Sequence, residues 1–261
     1  MSYASQQGYP TLAIDRLGNG ESEHPDPILV VQNPAHAEVA YGVIQLAKAG
    51  TSPLPRAFDK VIYVGHSFGS LIGNLMNAKY PDAVDATILT GWSSNFVLAG
   101  VPVAVGLQAL PAALVDPAAY GELAVGYLEV SSEAGDVNAF FHIGAFDPAM
   151  QAMDYARRDT LSVGELASFP FSTIEASGYK GPVLVVTGGS DNIFCNPTAL
   201  LLPPNCGTGD ANILAASGSL YPAASVYDWH VVPEAGHCWH LHYAAQDGFS
   251  ASHDWLAQQG F

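Results

Sequence analysis

The chain has 261 residues, of which 49% are hydrophobic and 12% charged, and its formal net charge at pH 7 is −16. This length and apolar content suit a compact globular protein and exclude a disordered chain. The negative charge repels phosphate backbones, so we expect no nucleic-acid partner. The longest apolar stretch, residues 96–114, is interrupted by glycines and prolines, so we also expect no membrane span.

The predicted elements alternate between strand and helix along the chain. Short aliphatic runs predict buried parallel strands at residues 11–15, 60–65, 86–90, 182–187 and 226–232. Helices are predicted at residues 35–49, after Ser67 to about residue 79, and from about residue 240 to 258. This alternation is typical of an α/β fold, in which helices cover a mostly parallel sheet.

Residues 95–179 interrupt the alternation with short helical patterns separated by glycine and proline, and they carry the aromatic residues Phe140, Phe141, Phe146 and Tyr155. We predict a helical lid inserted into a core formed by residues 1–94 and 180–261. Lids over α/β sheets often determine substrate specificity. An ordinary helical excursion without a binding role remains the alternative.

The strongest local signal is the G-H-S-F-G sequence at residues 65–69, between an aliphatic run and a helical pattern. A nucleophilic serine on a tight strand-to-helix turn needs neighbours without side chains, and Gly65 and Gly69 meet that need. Ser67 is therefore the candidate nucleophile.

A serine hydroxyl needs a base to take its proton, and a histidine on a later loop can supply it. His237 follows the strand predicted at residues 226–232 through a short turn, so it should lie at the same sheet edge as Ser67. His230 falls inside that strand and cannot easily reach the nucleophile. His237 is the candidate base.

Residues 237–242 also contain Cys238, His240 and His242, which are side chains that can bind zinc. Their spacing matches no metal-ligand pattern that we recognise, and the serine motif already accounts for His237. We therefore expect no metal ligands, and we expect polar contacts near the site for His240 and His242. A metal-dependent enzyme that uses this cluster stays open as an alternative.

The imidazole in turn needs a carboxylate to orient it, in the chain order serine, acid, histidine. Asp191 fits, because it follows the strand predicted at residues 182–187 at the carboxyl edge of the sheet. Residues 91–95, which follow the preceding strand, contain no acid. The alternative role for Asp191 is to form a turn.

Three cysteines allow one internal pair at most. Cys195 and Cys206 flank a loop that a disulfide would close in an oxidising compartment, and reduced thiols are equally compatible with the sequence. We expect their Cα atoms to lie about 4.4–6.8 Å apart.

Together these motifs resemble the α/β-hydrolase superfamily, in particular fungal esterase-type members with a lid. Residues 15–22, D-R-L-G-N-G-E-S, resemble the D-x-x-G-x-G-x-S turn after the family's fourth strand, and Gly236 and His237 resemble its histidine loop. The resemblance covers most of the chain.

The resemblance implies a serine hydrolase without a cofactor, and we expect a carboxylic-ester hydrolase that forms an acyl-enzyme on Ser67. His237 would act as base and then acid, Asp191 would orient it, and the Phe68 N–H would donate to the oxyanion. The aromatic residues of the lid favour an apolar small-molecule ester, and amides, lactones and thioesters stay open.

Only about ten residues precede the strand predicted at residues 11–15, where the family has three strands and a second oxyanion donor. We therefore expect an N-terminally short core, and a truncated member that binds an apolar ligand with weak or no turnover is the alternative function. Residues 11–15 would pair directly with residues 60–65, or both edges would stay unpaired. The first residues do not resemble a signal peptide, and an extracellular location stays open if the beginning is incomplete.

Overall fold

The computed structural model describes residues 2–94, 106–196, 206–207 and 212–261. Its strands, in chain order, are β1 (Ile62–His66), β2 (Ala86–Thr90), β3 (Ala109–Pro111), β4 (Tyr127–Val130), β5 (Leu161–Ser162), β6 (Val183–Gly188) and β7 (Tyr227–Val232). Four of them form a parallel sheet in the order β1-β2-β6-β7, and the other three form an antiparallel sheet in the order β3-β4-β5. The α/β fold class is confirmed.

The helices, in chain order, are α1 (Ser2–Gln6), α2 (Asn33–Ala49), α3 (Phe68–Lys79), α4 (Ala112–Val115), α5 (Pro117–Tyr120), α6 (Glu133–Phe140), α7 (Pro148–Ala156), α8 (Val163–Ser168), α9 (Ile213–Ala216) and α10 (Ala245–Gln258). Short 3₁₀ turns follow at Phe169–Phe171, Ser217–Leu220 and Trp239–Leu241. None of the helices in the described ranges is long and apolar enough to cross a membrane.

The parallel sheet has an apolar core on both faces. Alternate residues of β6 enter two different clusters, with Val183 and Val185 on the side of α2 and α3, and Leu184 and Val186 on the side of α10. All five residues of β2 are buried. Since β2 and β6 are covered on both faces, they are mainly apolar and carry no charged residue, which explains why sequence alone located them.

The strand predicted at residues 11–15 is wrong. Those residues have no regular secondary structure, and the side chains of Leu12 and Ile14 are 57% and 47% exposed. Within the described ranges β1 is paired on one side only, by β2, and Val64 of β1 is 62% exposed. An alternating apolar pattern forms a strand only beside a partner, and here the outer edge of β1 does not supply one.

The described part of the predicted lid, residues 106–179, contains the antiparallel sheet as well as short helices, so it is not purely helical. Residues 95–105 lie outside the described residues. The segment is tied to the N-terminal region, because Asn19 donates to the Thr160 carbonyl at 2.6 Å and Arg16 pairs with the buried Glu165 at 3.2 Å. These contacts hold the segment against residues 16–19 near the beginning of the chain.

Candidate active site

Ser67 occupies the turn between β1 and α3 in a backbone conformation that side chains rarely adopt, with φ 54° and ψ −114°. The turn is held to the neighbouring strand, because the Ser67 N–H and the Ser70 hydroxyl both donate to the Thr90 carbonyl, at 2.9 and 2.8 Å. A strained serine at a strand-to-helix turn is typical of an exposed nucleophile.

The two glycines of the motif are not equivalent. A Cβ atom at Gly65 would lie 2.4 Å from the Gly69 carbonyl oxygen, whereas a Cβ at Gly69 would meet nothing within 4 Å. The expected close approach therefore holds at Gly65, but not at Gly69. The backbone of the turn passes over the first glycine only, and the second lies in the first turn of α3.

Asp191 and His237 are in direct contact, with the His237 Nδ1–H donating to Asp191 Oδ2 at 2.9 Å. Both side chains are almost completely buried. Asp191 follows β6 and His237 follows β7, and because these strands are parallel neighbours their carboxyl ends meet at one edge of the sheet.

The remaining lone pairs of Asp191 are satisfied by the protein. Oδ2 also accepts from the Thr187 hydroxyl at 2.6 Å, and Oδ1 accepts from the N–H groups of Ile193 and Phe194 at 2.8 and 2.9 Å. Burial alone would raise the pKa of Asp191, but His237 and the hydrogen bonds from His237, Thr187 and Phe194 hold this pKa below its ordinary value. The carboxylate is therefore ionised beside the imidazole.

The other nitrogen of His237, Nε2, is buried and has no hydrogen-bond partner among the described residues. Since Nδ1 carries the proton given to Asp191, Nε2 presents a lone pair. Ser67 therefore makes no hydrogen bond to His237 Nε2 in this geometry. The two residues nevertheless lie at the same end of the sheet, because the Ser67 N–H donates to the Thr90 carbonyl and a Cβ atom added to the next residue, Gly91, would lie 2.9 Å from the His237 ring.

Aromatic rings from two different segments enclose His237. Phe194 stacks on its ring at 5.7 Å between centroids, and Phe140 from α6 contacts it at 5.7 Å. The Cys238 N–H donates to the Phe140 carbonyl at 3.0 Å, which fixes the end of α6 to the histidine loop. Residues 106–179 therefore supply part of the wall around the candidate base.

Phe68, the first residue of α3, places its backbone N–H at the helix N-terminus, where unpaired N–H groups favour negative charge. Its side chain packs against Phe169 at 4.9 Å, and the Arg16 guanidinium lies 5.5 Å from its ring. These contacts fix the first turn of α3 beside Ser67.

Cys195 and Cys206 form a disulfide, and their Cα separation of 4.7 Å confirms the expected range. The bridge lies on the loop after Asp191, whose carbonyl accepts from the Cys195 N–H at 3.1 Å, and the Cys206 N–H donates to the Gly189 carbonyl at 3.3 Å. The disulfide thus anchors the loop that carries the carboxylate.

The other histidines have different surroundings. His230 lies in β7, as expected, and pairs with Asp247 at 2.6 Å on the surface. His242 makes the expected polar contacts, because its Nε2 accepts from the N–H groups of His142 and Gly236 and its Nδ1–H donates to the Cys238 carbonyl. Both nitrogens of His242 are thus occupied, which removes it from the ligand set considered for residues 237–242.

Sequence reasoning missed His66, the residue before Ser67. Its Nε2 lies 3.8 Å from the sulfur of Cys238, and its ring meets His240 edge-on at 4.8 Å. Burial, with the neighbouring His240 and His237, lowers the pKa of His66 well below its ordinary value. Burial also lowers the pKa of His240 to about 4 and raises that of the Cys238 thiol well above its usual range. The only signal available was that His66 and residues 238–240 both follow strands at the same sheet edge.

Comparisons with known proteins agree with this architecture. The monoacylglycerol lipase of Paleococcus ferrophilus superposes with a TM-score of 0.59 at 16% identity, over 95% of this chain and 82% of that one. The esterase of Thermogutta terrifontis gives 0.60 at 16% identity over 94% and 78%, and a methylesterase from Arabidopsis gives 0.59 at 13% identity over 98% and 90%. At these identities the likeness shows the fold alone.

No curated protein sequence matches the chain. The sequence model of the alpha/beta hydrolase family, however, matches residues 1–246, which is most of the chain. With the parallel sheet and the strand-to-helix turn at Ser67, this match is decisive, and the chain belongs to the alpha/beta hydrolase family.

Proposed function

We propose that this protein is a serine esterase that cleaves carboxylic esters of apolar small molecules through an acyl-enzyme on Ser67. The observation that carries the proposal is the buried pair of Asp191 and His237, whose tautomer leaves a lone pair on His237 Nε2 beside the strained turn of Ser67. A buried carboxylate and imidazole with one unpaired ring nitrogen are suited to general-base chemistry.

In the first half-reaction, Ser67 Oγ attacks the ester carbonyl carbon while its proton moves to His237 Nε2. The imidazolium so formed is stabilised by the ionised Asp191. The carbonyl oxygen gains the negative charge and accepts a hydrogen bond from the Phe68 N–H at the start of α3. The C–O bond to the alcohol then breaks, and His237 returns the proton to the leaving alkoxide.

In the second half-reaction, a water molecule gives a proton to His237 Nε2 and attacks the acyl carbon. The bond to Ser67 Oγ breaks, Oγ recovers the proton, and the carboxylic acid leaves. Hydrogen bonds in free hydrolases are often long and tighten only when substrate binds, so the unpaired Nε2 is compatible with this cycle.

The apolar surroundings support the choice of substrate. Phe140 and Phe194 flank His237, and Phe68 packs on Phe169 at the other side of Ser67. Such rings gain free energy by covering apolar acyl or aryl groups and offer few hydrogen bonds to a polar substrate. We therefore place apolar esters ahead of sugar or peptide substrates.

The alternative function is binding of an apolar ligand without turnover. It is favoured by the absence of a hydrogen bond to His237 Nε2 among the described residues. If this nitrogen never meets Ser67, the hydroxyl stays un-ionised and reacts slowly.

Labelling with a fluorophosphonate, followed by peptide mapping, distinguishes the two functions. We expect one adduct, on Ser67, and hydrolysis of p-nitrophenyl esters that falls by about 10⁶-fold in Ser67→Ala. Ser5→Ala, at the exposed residue Ser5 of α1, is the matched control and should keep wild-type rates. Absence of the adduct together with unchanged ester hydrolysis in Ser67→Ala would refute the serine mechanism. Absence of both the adduct and ester hydrolysis would support the alternative function, binding of an apolar ligand without turnover.

A further inference from the structure

A second cluster of reactive side chains adjoins the candidate active site. His66, Cys238 and His240 each present one ligand atom, and these three atoms lie within 4.8 Å of one another. For tetrahedral zinc with Zn–N near 2.05 Å and Zn–S near 2.3 Å, adjacent nitrogen and sulfur ligands lie about 3.6 Å apart. The observed separation of His66 Nε2 and Cys238 Sγ is 3.8 Å, so this edge of the polyhedron is almost formed.

The hydrogen bonds of Thr90 fix the tautomer of His66. The Thr90 hydroxyl has one hydrogen, which it donates to the Gly65 carbonyl at 3.0 Å. At its 3.0 Å contact with His66 Nδ1 the same oxygen must therefore accept, so Nδ1 carries the proton. Nε2 is left with its lone pair directed at Cys238, and histidines that ligate metals are typically oriented by such a bond to the opposite nitrogen.

We propose that His66, Cys238 and His240 form a binding site for a borderline-soft divalent transition metal such as Zn²⁺, and that occupancy of this site inhibits the esterase. Two imidazoles and one thiolate form a ligand set that suits zinc and copper rather than magnesium or calcium. As the metal–sulfur bond forms, the Cys238 thiol proton is released to solvent. A water molecule completes the tetrahedron.

The surroundings favour a cation and allow it to enter. All three residues are half-buried, so part of each side of the cluster faces solvent rather than the core. Asp136, Asp154 and Asp191 are near enough for their negative charge to act on the Cys238 sulfur. These three carboxylates, all in the part of the chain that the structure describes, would offset the positive charge that a divalent metal brings into the site.

Inhibition follows from the position of the cluster. The His66 and His237 rings lie 4.9 Å apart between centroids, and Cys238 directly follows His237. A metal that bridges His66 and Cys238 would tie the residue before Ser67 to the residue after His237, and would hold both in the present geometry, in which Ser67 and His237 Nε2 are not hydrogen-bonded. This second part of the inference rests on the proposed function, whereas metal binding itself does not.

Binding is tested by titrating chelator-treated full-length protein with Co²⁺, whose absorption reports thiolate ligation, and by Zn²⁺ competition. We expect one equivalent to bind with a thiolate-to-cobalt charge-transfer band. Cys238→Ala should abolish the band, and both Cys238→Ala and His240→Gln should weaken Zn²⁺ binding at least tenfold. His230→Gln removes a surface histidine outside the cluster and should bind like wild type. Circular dichroism verifies that each variant is folded.

Inhibition is tested by the ratio of ester hydrolysis rates without and with saturating Zn²⁺ in each variant. We expect a ratio of at least ten for wild type and His230→Gln, and a ratio near one for Cys238→Ala. A wild-type protein without the thiolate band, or equal Zn²⁺ affinity in all variants, would overturn the site. Binding with an unchanged rate would overturn the inhibitory role. If Ser67 is not the nucleophile, fluorophosphonate fails to label metal-free protein, while the cobalt titration still reports on the site.

Discussion

The two edges of the parallel sheet differ in how completely the side chains near them are buried. On the side of β6 and β7, Asp191 and His237 are buried, and the carboxylate accepts hydrogen bonds from both side chains and backbone. At the β1 edge, Val64 is mostly exposed, and residues 11–15, which were expected to pair there, form no strand. The proposed acid–base pair therefore lies at the better-buried edge of the sheet. The turn of Ser67 follows β1, at the more exposed edge.

The largest effect is expected for Asp191→Asn, which changes the buried carboxylate beside His237. An amide of the same shape cannot hold His237 in the tautomer with Nε2 free, so we expect kcat for ester hydrolysis to fall by about 10⁴-fold. Asp247→Asn, at a surface carboxylate that also pairs with a histidine, is the matched control and should leave kcat unchanged. Steady-state kinetics measures both, and equal rates for the two variants would show that Asp191 has no role in the reaction.

The lowered pKa of Asp191 also predicts how the stability of the protein depends on pH. The folded-state pKa of Asp191 lies below its ordinary value of 3.8, so its ionisation stabilises the fold above that pH. This contribution is lost as the pH falls through the lower folded-state pKa. The difference in unfolding free energy between wild type and Asp191→Asn should therefore shrink below about pH 4, as urea unfolding at several pH values would show. A constant difference would contradict the assigned direction of the pKa shift.

An intermediate effect is expected at the turn that carries Ser67, between β1 and α3. Gly65→Ala would drive a Cβ into the Gly69 carbonyl and should cost about 2–3 kcal/mol of stability. Gly69→Ala adds a Cβ in open space and should change stability by less than about 1 kcal/mol. Urea unfolding of the two variants makes the comparison. Equal losses would mean that the turn is equally tight at both glycines.

The smallest effect on stability is expected at the open edge. Val64→Lys places a charge on an exposed strand edge, which should change stability by less than about 0.5 kcal/mol and raise the monomer fraction at high concentration. Val64→Thr keeps the shape without the charge and should associate more than the lysine variant. Sedimentation velocity measures the monomer fraction, and identical profiles for wild type and Val64→Lys would place self-association elsewhere.

Much of the fold followed from the sequence because the central strands β2 and β6 are mainly apolar and carry no charged residue. The strand at Ala86–Thr90 was located with its observed bounds, and β1, β6 and β7 were located to within two residues. The C-terminal helix was expected from about residue 240, but α10 begins at Ala245. His242 explains the delay, because its ring bonds to the backbone of three other residues and holds the chain out of helical geometry.

The candidate site was predictable where the fold fixes a chain order, and not where it depends on approach in space. Ser67, Asp191 and His237 each follow a strand, in the order nucleophile, acid, histidine that is typical of this fold. The contact between His66 and Cys238 joins residues 172 positions apart. No local pattern records such a contact, since it depends on the register of β1, β2, β6 and β7.

Thr90 has a consequence for how this protein can vary. Its carbonyl holds the turn of Ser67 and Ser70, and its hydroxyl fixes the ring of His66. Valine at this position would keep the carbonyl and lose the hydroxyl, so the turn of Ser67 would survive while the tautomer of His66 became free. In related sequences, histidine at position 66 should therefore occur together with threonine or serine at position 90, so that the two positions co-vary.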